Sequence, residues 1–112
     1  MRLRYTPEAQ SDLRELRRYI RENLSNPKAA ADISGSIIRD CSRLKRFPEL
    51  GMELSRKLNI ETDLRYLICG KHLAFYRIEK GWISVTRILD GRTDYLRILF
   101  GKDFDTMDIE DT

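Results

Sequence analysis

The chain has 112 residues, 41% of them hydrophobic and 35% charged, with a net charge of +3. That length suits a single domain able to bury about two-thirds of its unfolded surface, and that balance excludes a disordered chain. No apolar run approaches the roughly 20 residues of a membrane helix, and Met1-Arg-Leu-Arg-Tyr-Thr-Pro7 is no signal segment, so a cytoplasmic protein without membrane contact is expected.

Met1 to Tyr5 alternates Met1, Leu3 and Tyr5 with Arg2 and Arg4, the pattern of a short strand with one buried face. Thr6-Pro7 opens a helix: the threonine caps free N–H groups and the proline fits the first helical position. Ala9, Leu13, Leu16, Ile20 and Leu24 form its apolar face, and Arg14, Arg17, Arg18 and Arg21 the other, interleaved with Asp12, Glu15 and Glu22. Ser25-Asn26-Pro27 repeats the cap, and a second helix follows with Ala30, Ile33, Ile37, Cys41 and Leu44 inward. Gly35 and Ser36 are expected to allow close approach to the first helix, and Phe47-Pro48 to end the second. Residues 48–62 lack periodicity and predict a turn, then a packed loop or brief strand with Arg56 and Lys57 exposed. Three strands follow, Leu64–Cys69, Leu73–Glu79 and Trp82–Leu89, joined by tight turns at Gly70-Lys71 and Lys80-Gly81. Asp94–Phe100 reads equally as a strand or a helical turn.

The order β-α-α-β-β-β predicts an α+β domain over residues 1–100, a helical hairpin packed on an antiparallel sheet. Residues 101–112 set Lys102 against Asp103, Asp105, Asp108, Glu110 and Asp111, a net of −4 on an expected flexible tail, leaving +7 on the body. A basic body predicts an anionic partner, with the guanidinium groups gathered on the open side of the sheet. The tail either is solvated or folds back over that basic surface as a mimic of the partner, and its carboxylates fit both readings. Cys41 and Cys69 have no metal-ligand spacing; reduced, buried thiols are expected, and no metal or cofactor.

The ordered landmarks Ala9-x-x-x-Leu13, Tyr19-Ile20, Asn26-Pro27-x-Ala29-Ala30, Leu44-x-x-Phe47-Pro48-x-x-Gly51, Leu64-Arg65, His72-Leu73-x-Phe75-Tyr76-Arg77-Ile78 and Arg87-Ile88-Leu89-x-Gly91-Arg92-x-Asp94 resemble the RelE/ParE toxin superfamily of type II toxin–antitoxin modules. The resemblance runs from about residue 5 to residue 99 and is closer to the ParE branch. It implies a growth-arresting toxin neutralised by a co-encoded antitoxin protein whose C-terminal segment wraps it. ParE-type toxins poison DNA gyrase; RelE-type toxins cut mRNA on the ribosome without a metal. Neither takes a small-molecule substrate.

On the RelE pattern, phosphodiester cleavage needs cations to hold the phosphate and groups to move protons. Arg65 falls near a family strand cation, Arg92 matches the cation after the last strand, Tyr95 could match the family's tyrosine, and His72 stands where such enzymes carry an arginine. The paired lysines of RelE-like enzymes are absent, with Glu61-Thr-Asp63-Leu-Arg65 in their place, and Asp90 stands where relatives carry histidine or tyrosine. Asp90 also reads as a turn residue before Gly91 and as a partner for Arg92. Arg14, Arg17, Arg18, Arg21 and Arg87 are the candidates for antitoxin or target contact, with a solvated helix face as the plain alternative for the first four. One of Arg77 and Arg87 is expected to be a structural cation. The sequence leaves open whether the chain is an enzyme: gyrase poisoning by binding leads, a metal-independent endoribonuclease is the alternative, and a relative that binds only its antitoxin is the third reading.

Overall fold

The computed structural model describes residues 1–101; the acidic segment 102–112, with the reading of it as a tail, lies outside the described residues. Strand β1 (Arg2–Tyr5) leads into helices α1 (Pro7–Asn23) and α2 (Pro27–Ser42), then a tight turn at Arg43–Lys45. A two-residue strand β2 (Met52–Glu53), a short helix α3 (Leu54–Leu58), strands β3 (Arg65–Cys69), β4 (His72–Glu79) and β5 (Trp82–Asp90), and helix α4 (Tyr95–Phe100) complete it.

Both helix starts form as the local chemistry dictates. The Thr6 hydroxyl accepts the Ala9 N–H at 3.2 Å, and the Asn26 side chain accepts the Ala29 N–H at 3.0 Å, each with proline next in line. The two glycine turns also form, with Gly70 and Gly81 at positive φ where a side chain would be strained.

The sheet order is β1-β5-β4-β3-β2. The pairings from β2 to β5 are antiparallel, as expected of the hairpins, but β1 lies parallel to β5, with Leu3 opposite Ile83 and Tyr5 opposite Val85. The helical hairpin intervenes between β1 and the rest of the sheet, so the pairing direction carries no local signal in the sequence.

The helical hairpin packs on one face. Ala9, Leu13, Ile37, Cys41 and Leu44 meet Leu67, Cys69, Ala74, Tyr76, Ile83, Val85 and Ile88. Cys41 and Cys69 are buried free thiols in this layer. The inward stripe of α2 is Ala30, Ser34, Ile37, Cys41 rather than one through Ile33, which falls one residue off that line and stays partly exposed. Leu24 is 61% exposed because it caps the end of α1, where the chain swings away through Ser25 at positive φ. Gly35 does not face α1: a Cβ there would meet only Arg39 of its own helix, at 3.3 Å. The α-helix ends at Ser42, before Phe47-Pro48, because the chain tightens into the Arg43–Lys45 turn.

The opposite face is not open along its whole length. Tyr66, Leu73, Phe75 and Leu89 are covered by Leu54, Leu58, Tyr95, Leu99 and Phe100 from α3 and α4. The brief strand expected in residues 48–62 is β2, and the same stretch also supplies α3. Asp94–Phe100 resolves as a helix, its apolar side closing this second layer.

Candidate functional site

Arg65 shares a sheet face with Leu67 and Cys69, by strand alternation, and stands opposite Tyr76. It therefore lies on the side of the helical hairpin, not on the other side with Tyr66. Its side chain is 18% exposed. Nε and Nη2 donate to the Gly51 carbonyl at 3.2 and 2.9 Å, Nη2 reaches the Glu49 carbonyl at 3.4 Å, and Nη1 the Glu53 carboxylate at 3.5 Å. Tyr76 completes this knot. Its hydroxyl donates to the Pro48 carbonyl at 2.7 Å and accepts the Gly51 N–H at 2.9 Å. Burial pushes the Tyr76 phenol above its ordinary value, which keeps the donated proton in place. Gly51 is required because a Cβ would sit 2.6 Å from the Tyr66 carbonyl and 2.7 Å from the Tyr76 hydroxyl. The Pro48-x-x-Gly51 landmark is thus the turn that Arg65 and Tyr76 tie to the sheet.

His72 lies at the far end of the same strands. It pairs with Cys69, four residues from the Arg65–Tyr76 pair, which is roughly 13 Å along a strand. It also stands opposite Asp90 on β5. Asp90 builds the following turn: one carboxylate oxygen accepts the Arg92 backbone N–H at 2.8 Å and Nε at 3.1 Å, and the other accepts Nη2 at 3.0 Å. The Gly91 N–H donates to the Lys71 carbonyl at 2.9 Å, docking this turn on the β3–β4 tip. The Arg92 fork holds the Asp90 carboxyl at about 2. The His72 imidazole is lowered from its ordinary 6.5 by burial; Asp90 opposes that shift and Arg92 adds to it. His72 is therefore neutral at pH 7. Arg92 is 86% exposed, but its charge is matched by Asp90.

Beside His72, between α1 and the strands, runs a groove of about 470 Å³ lined by Leu16, Tyr19, Ile20, Ile88 and Leu89 and by the carboxylates Asp12, Glu15 and Asp90. Each of these carboxylates is matched by an arginine, Asp12 by Arg87, Glu15 by Arg18 and Asp90 by Arg92, so the groove lining offers no unmatched cation to a phosphate. Tyr95 belongs to the other layer, its ring 5.3 Å from that of Phe75. The four nuclease candidates thus occupy three places: Arg65 in the Gly51 knot, His72 with Arg92 at the hairpin tip, and Tyr95 against the opposite face.

Arg87 is the structural cation of the pair considered. It grips Asp12 of α1 with Nε at 2.8 Å and Nη2 at 2.9 Å, and the same carboxylate accepts the Ile88 N–H at 2.9 Å. Asp12 satisfies the edge of β5 where β1 has already turned away. Arg77 pairs with Asp63 at 2.8 Å. On α1, Arg14, Arg17, Arg18 and Arg21 are all exposed and project within an arc of about 100°. Arg18 pairs with Glu15 at 2.6 Å; no carboxylate among the described residues pairs with Arg14, Arg17 or Arg21.

Two arrangements escape sequence reasoning. Lys57 lies 4.8 Å from the Tyr66 ring and 5.9 Å from the Tyr95 ring. Arg2 and Arg4 stack on Trp82, at 4.3 and 4.8 Å from the ring centroid. The two-residue spacing of Arg2 and Arg4 signals a shared face, but the parallel neighbour that brings Trp82 to them does not show in the sequence.

The sequence matches the family model for the ParE toxin of the type II toxin–antitoxin system, parDE, over residues 3–95. The chain belongs to the ParE toxin family. No curated protein matches the sequence. Among solved structures, the chain is similar in fold to one described as the chromosomal ParDE toxin–antitoxin system from P. aeruginosa. The TM-score is 0.68 at 22% identity, over 80% of this chain and 95% of that one. The superfamily resemblance read from the landmarks, and the ParE branch within it, stand with this membership, and so does the helical hairpin on its sheet. Among the described residues of this ParE-family chain, no helix is long and apolar enough to cross a membrane.

Proposed function

We propose that this ParE-family toxin arrests growth by binding rather than by cutting RNA, with DNA gyrase as its target and the cytoplasm as its compartment. Residues 1–100 act as the toxin domain. The cognate antitoxin is its protein partner, as membership of a type II toxin–antitoxin family entails.

The observation that carries this reading is the dispersal of the nuclease candidates. Cleavage by 2′-OH attack needs the proton acceptor and the phosphate-holding cations within hydrogen-bond reach of one phosphate. Arg65 spends its donors on the Gly51 carbonyl, Arg92 is closed on Asp90, and Tyr95 packs against Phe75. The unpaired arginines of α1 support a contact role. Arg14, Arg17 and Arg21 offer planar forks to carboxylates on a protein partner, with Arg18 beside them. Arg87 contributes indirectly, by anchoring α1 to β5 through Asp12.

The test is a gyrase reaction on supercoiled plasmid with the purified toxin, stopped with detergent. Accumulation of protein-linked linear DNA, abolished by prior addition of antitoxin, is the expected result. Unchanged supercoiling with no linear product at toxin in excess over gyrase would remove gyrase as the target.

A further inference from the structure

We propose that the corner of the sheet where β1 and β5 run side by side is a docking surface for the phosphate backbone of duplex DNA. The inference goes beyond the gyrase reading and stands without it, because plain duplex is the ligand.

Arg2 and Arg4 lie opposite Trp82 and Ser84 in the parallel register, so strand alternation sends all four side chains to the face away from the helical hairpin. Trp82 is the stacking platform for both guanidinium groups, at 4.3 and 4.8 Å. Stacking fixes a guanidinium plane while leaving its N–H edge free to take an anion at two points. Arg4 is steadied further by Ser84 at 2.7 Å and Glu79 at 2.6 Å. Arg2 is exposed, and its side chain has no acceptor among the described residues. Lys80, exposed in the turn that precedes Trp82, adds a third cation. Among the described residues, Glu79 matches the charge of Arg4, and Arg2 and Lys80 stand beside that pair as unmatched cations.

The charge and the lack of an apolar anchor decide the occupant. The exposed apolar neighbours Met1 and Ile78 alternate to the other face of their strands, so this corner offers cations and one aromatic ring but no hydrophobic pocket for a peptide side chain. That composition suits a repeating phosphate chain, for which affinity comes from charge neutralisation. The unpaired arginines of α1 lie on an element packed against the opposite sheet face, so DNA at the corner leaves them free for a protein partner.

Trp82 is the only tryptophan in the chain, so its emission reports on this corner alone. The full-length toxin, without gyrase, is titrated with a duplex of about 20 base pairs between about 50 and 200 mM salt, following Trp82 emission and the anisotropy of a labelled duplex. The expected result is a saturable change in Trp82 emission that tracks the anisotropy. The logarithm of affinity should fall against that of salt with a slope of about −2, for the two phosphates neutralised by Arg2 and Lys80. Arg2→Gln should lower affinity about eight-fold near 0.1 M salt and reduce the slope by about one. Lys80→Glu, at an exposed turn position that does not test folding, should lower it at least as much, whereas Lys28→Glu, the same charge change on α2, should not. Three results would overturn the proposal: no duplex bound at about 50 mM salt; duplex bound with Trp82 silent and Lys80→Glu neutral; or polyglutamate bound as tightly as DNA with the same emission change.

Discussion

Arg65→Ala separates a clamp from a catalytic cation. The two donors on the Gly51 carbonyl form one charge-assisted interaction in a site only 18% exposed, so little of it is lost to solvent screening. Such an interaction is worth about 1.5–3 kcal/mol. The contacts at 3.4 and 3.5 Å are too long to add much. With the packing of the aliphatic stem removed as well, the loss should be about 2–3 kcal/mol. At about 4 °C per kcal/mol for a chain of this size, Tm should fall by about 8–12 °C. Arg65→Met keeps the stem and should lose somewhat less. Calorimetric melts of both variants beside Lys28→Ala make the comparison, because Lys28 is a surface residue in a solvent-screened pair whose removal should leave Tm unchanged. An Arg65→Ala protein that melts like the wild type but has lost its toxicity would refute the reasoning, since Arg65 would then serve a target and not the turn.

Other outcomes follow from the same geometry. Tyr76→Phe leaves the Pro48 carbonyl and the Gly51 N–H without their buried partner and should cost about 2–3 kcal/mol in urea unfolding. Asp12→Ala strands Arg87 and the Ile88 N–H together and should cost about 2–4 kcal/mol by the same measurement. Asp90 titrates at about 2 in the folded chain against 3.8 when free, so its contribution is complete above pH 3.8 and is lost as pH falls through 2. Carboxyl NMR should show that midpoint rising toward 3.8 in Arg92→Gln. His72, lowered from 6.5, favours the fold in its neutral form; its contribution is complete above pH 6.5 and declines as pH falls from 6.5 toward the depressed value. Its imidazole resonances should titrate below 6.5 in the folded protein.

The parts of the fold legible in the sequence are those with local causes. Thr6-Pro7 and Asn26-Pro27 act on N–H groups two or three residues away, and Gly70 and Gly81 act within their own turns, so each announces itself. The parallel seat of β1 depends on Val85, some 80 residues on, and leaves no mark on Met1–Tyr5. The second layer was hidden for a similar reason. Leu54, Leu58, Tyr95 and Leu99 belong to helices too short to show a period, and they gain meaning only against Tyr66 and Phe75. Candidate chemistry was legible as residue type but not as company. Arg65 and Tyr95 read like parts of one site, yet the Gly51 carbonyl and the Phe75 ring claim them separately. Asp90 read both as a turn residue and as a partner of Arg92, and it is both.

The most direct test of the central claim is primer extension on a message translated in a purified system with the toxin present. Binding without cleavage predicts full-length extension products at every codon, at toxin concentrations that arrest growth. Cuts at fixed codon positions that vanish both in Arg92→Ala and in Tyr95→Phe would contradict it, because side chains held at the hairpin tip and against the opposite face would then have to converge on one phosphate.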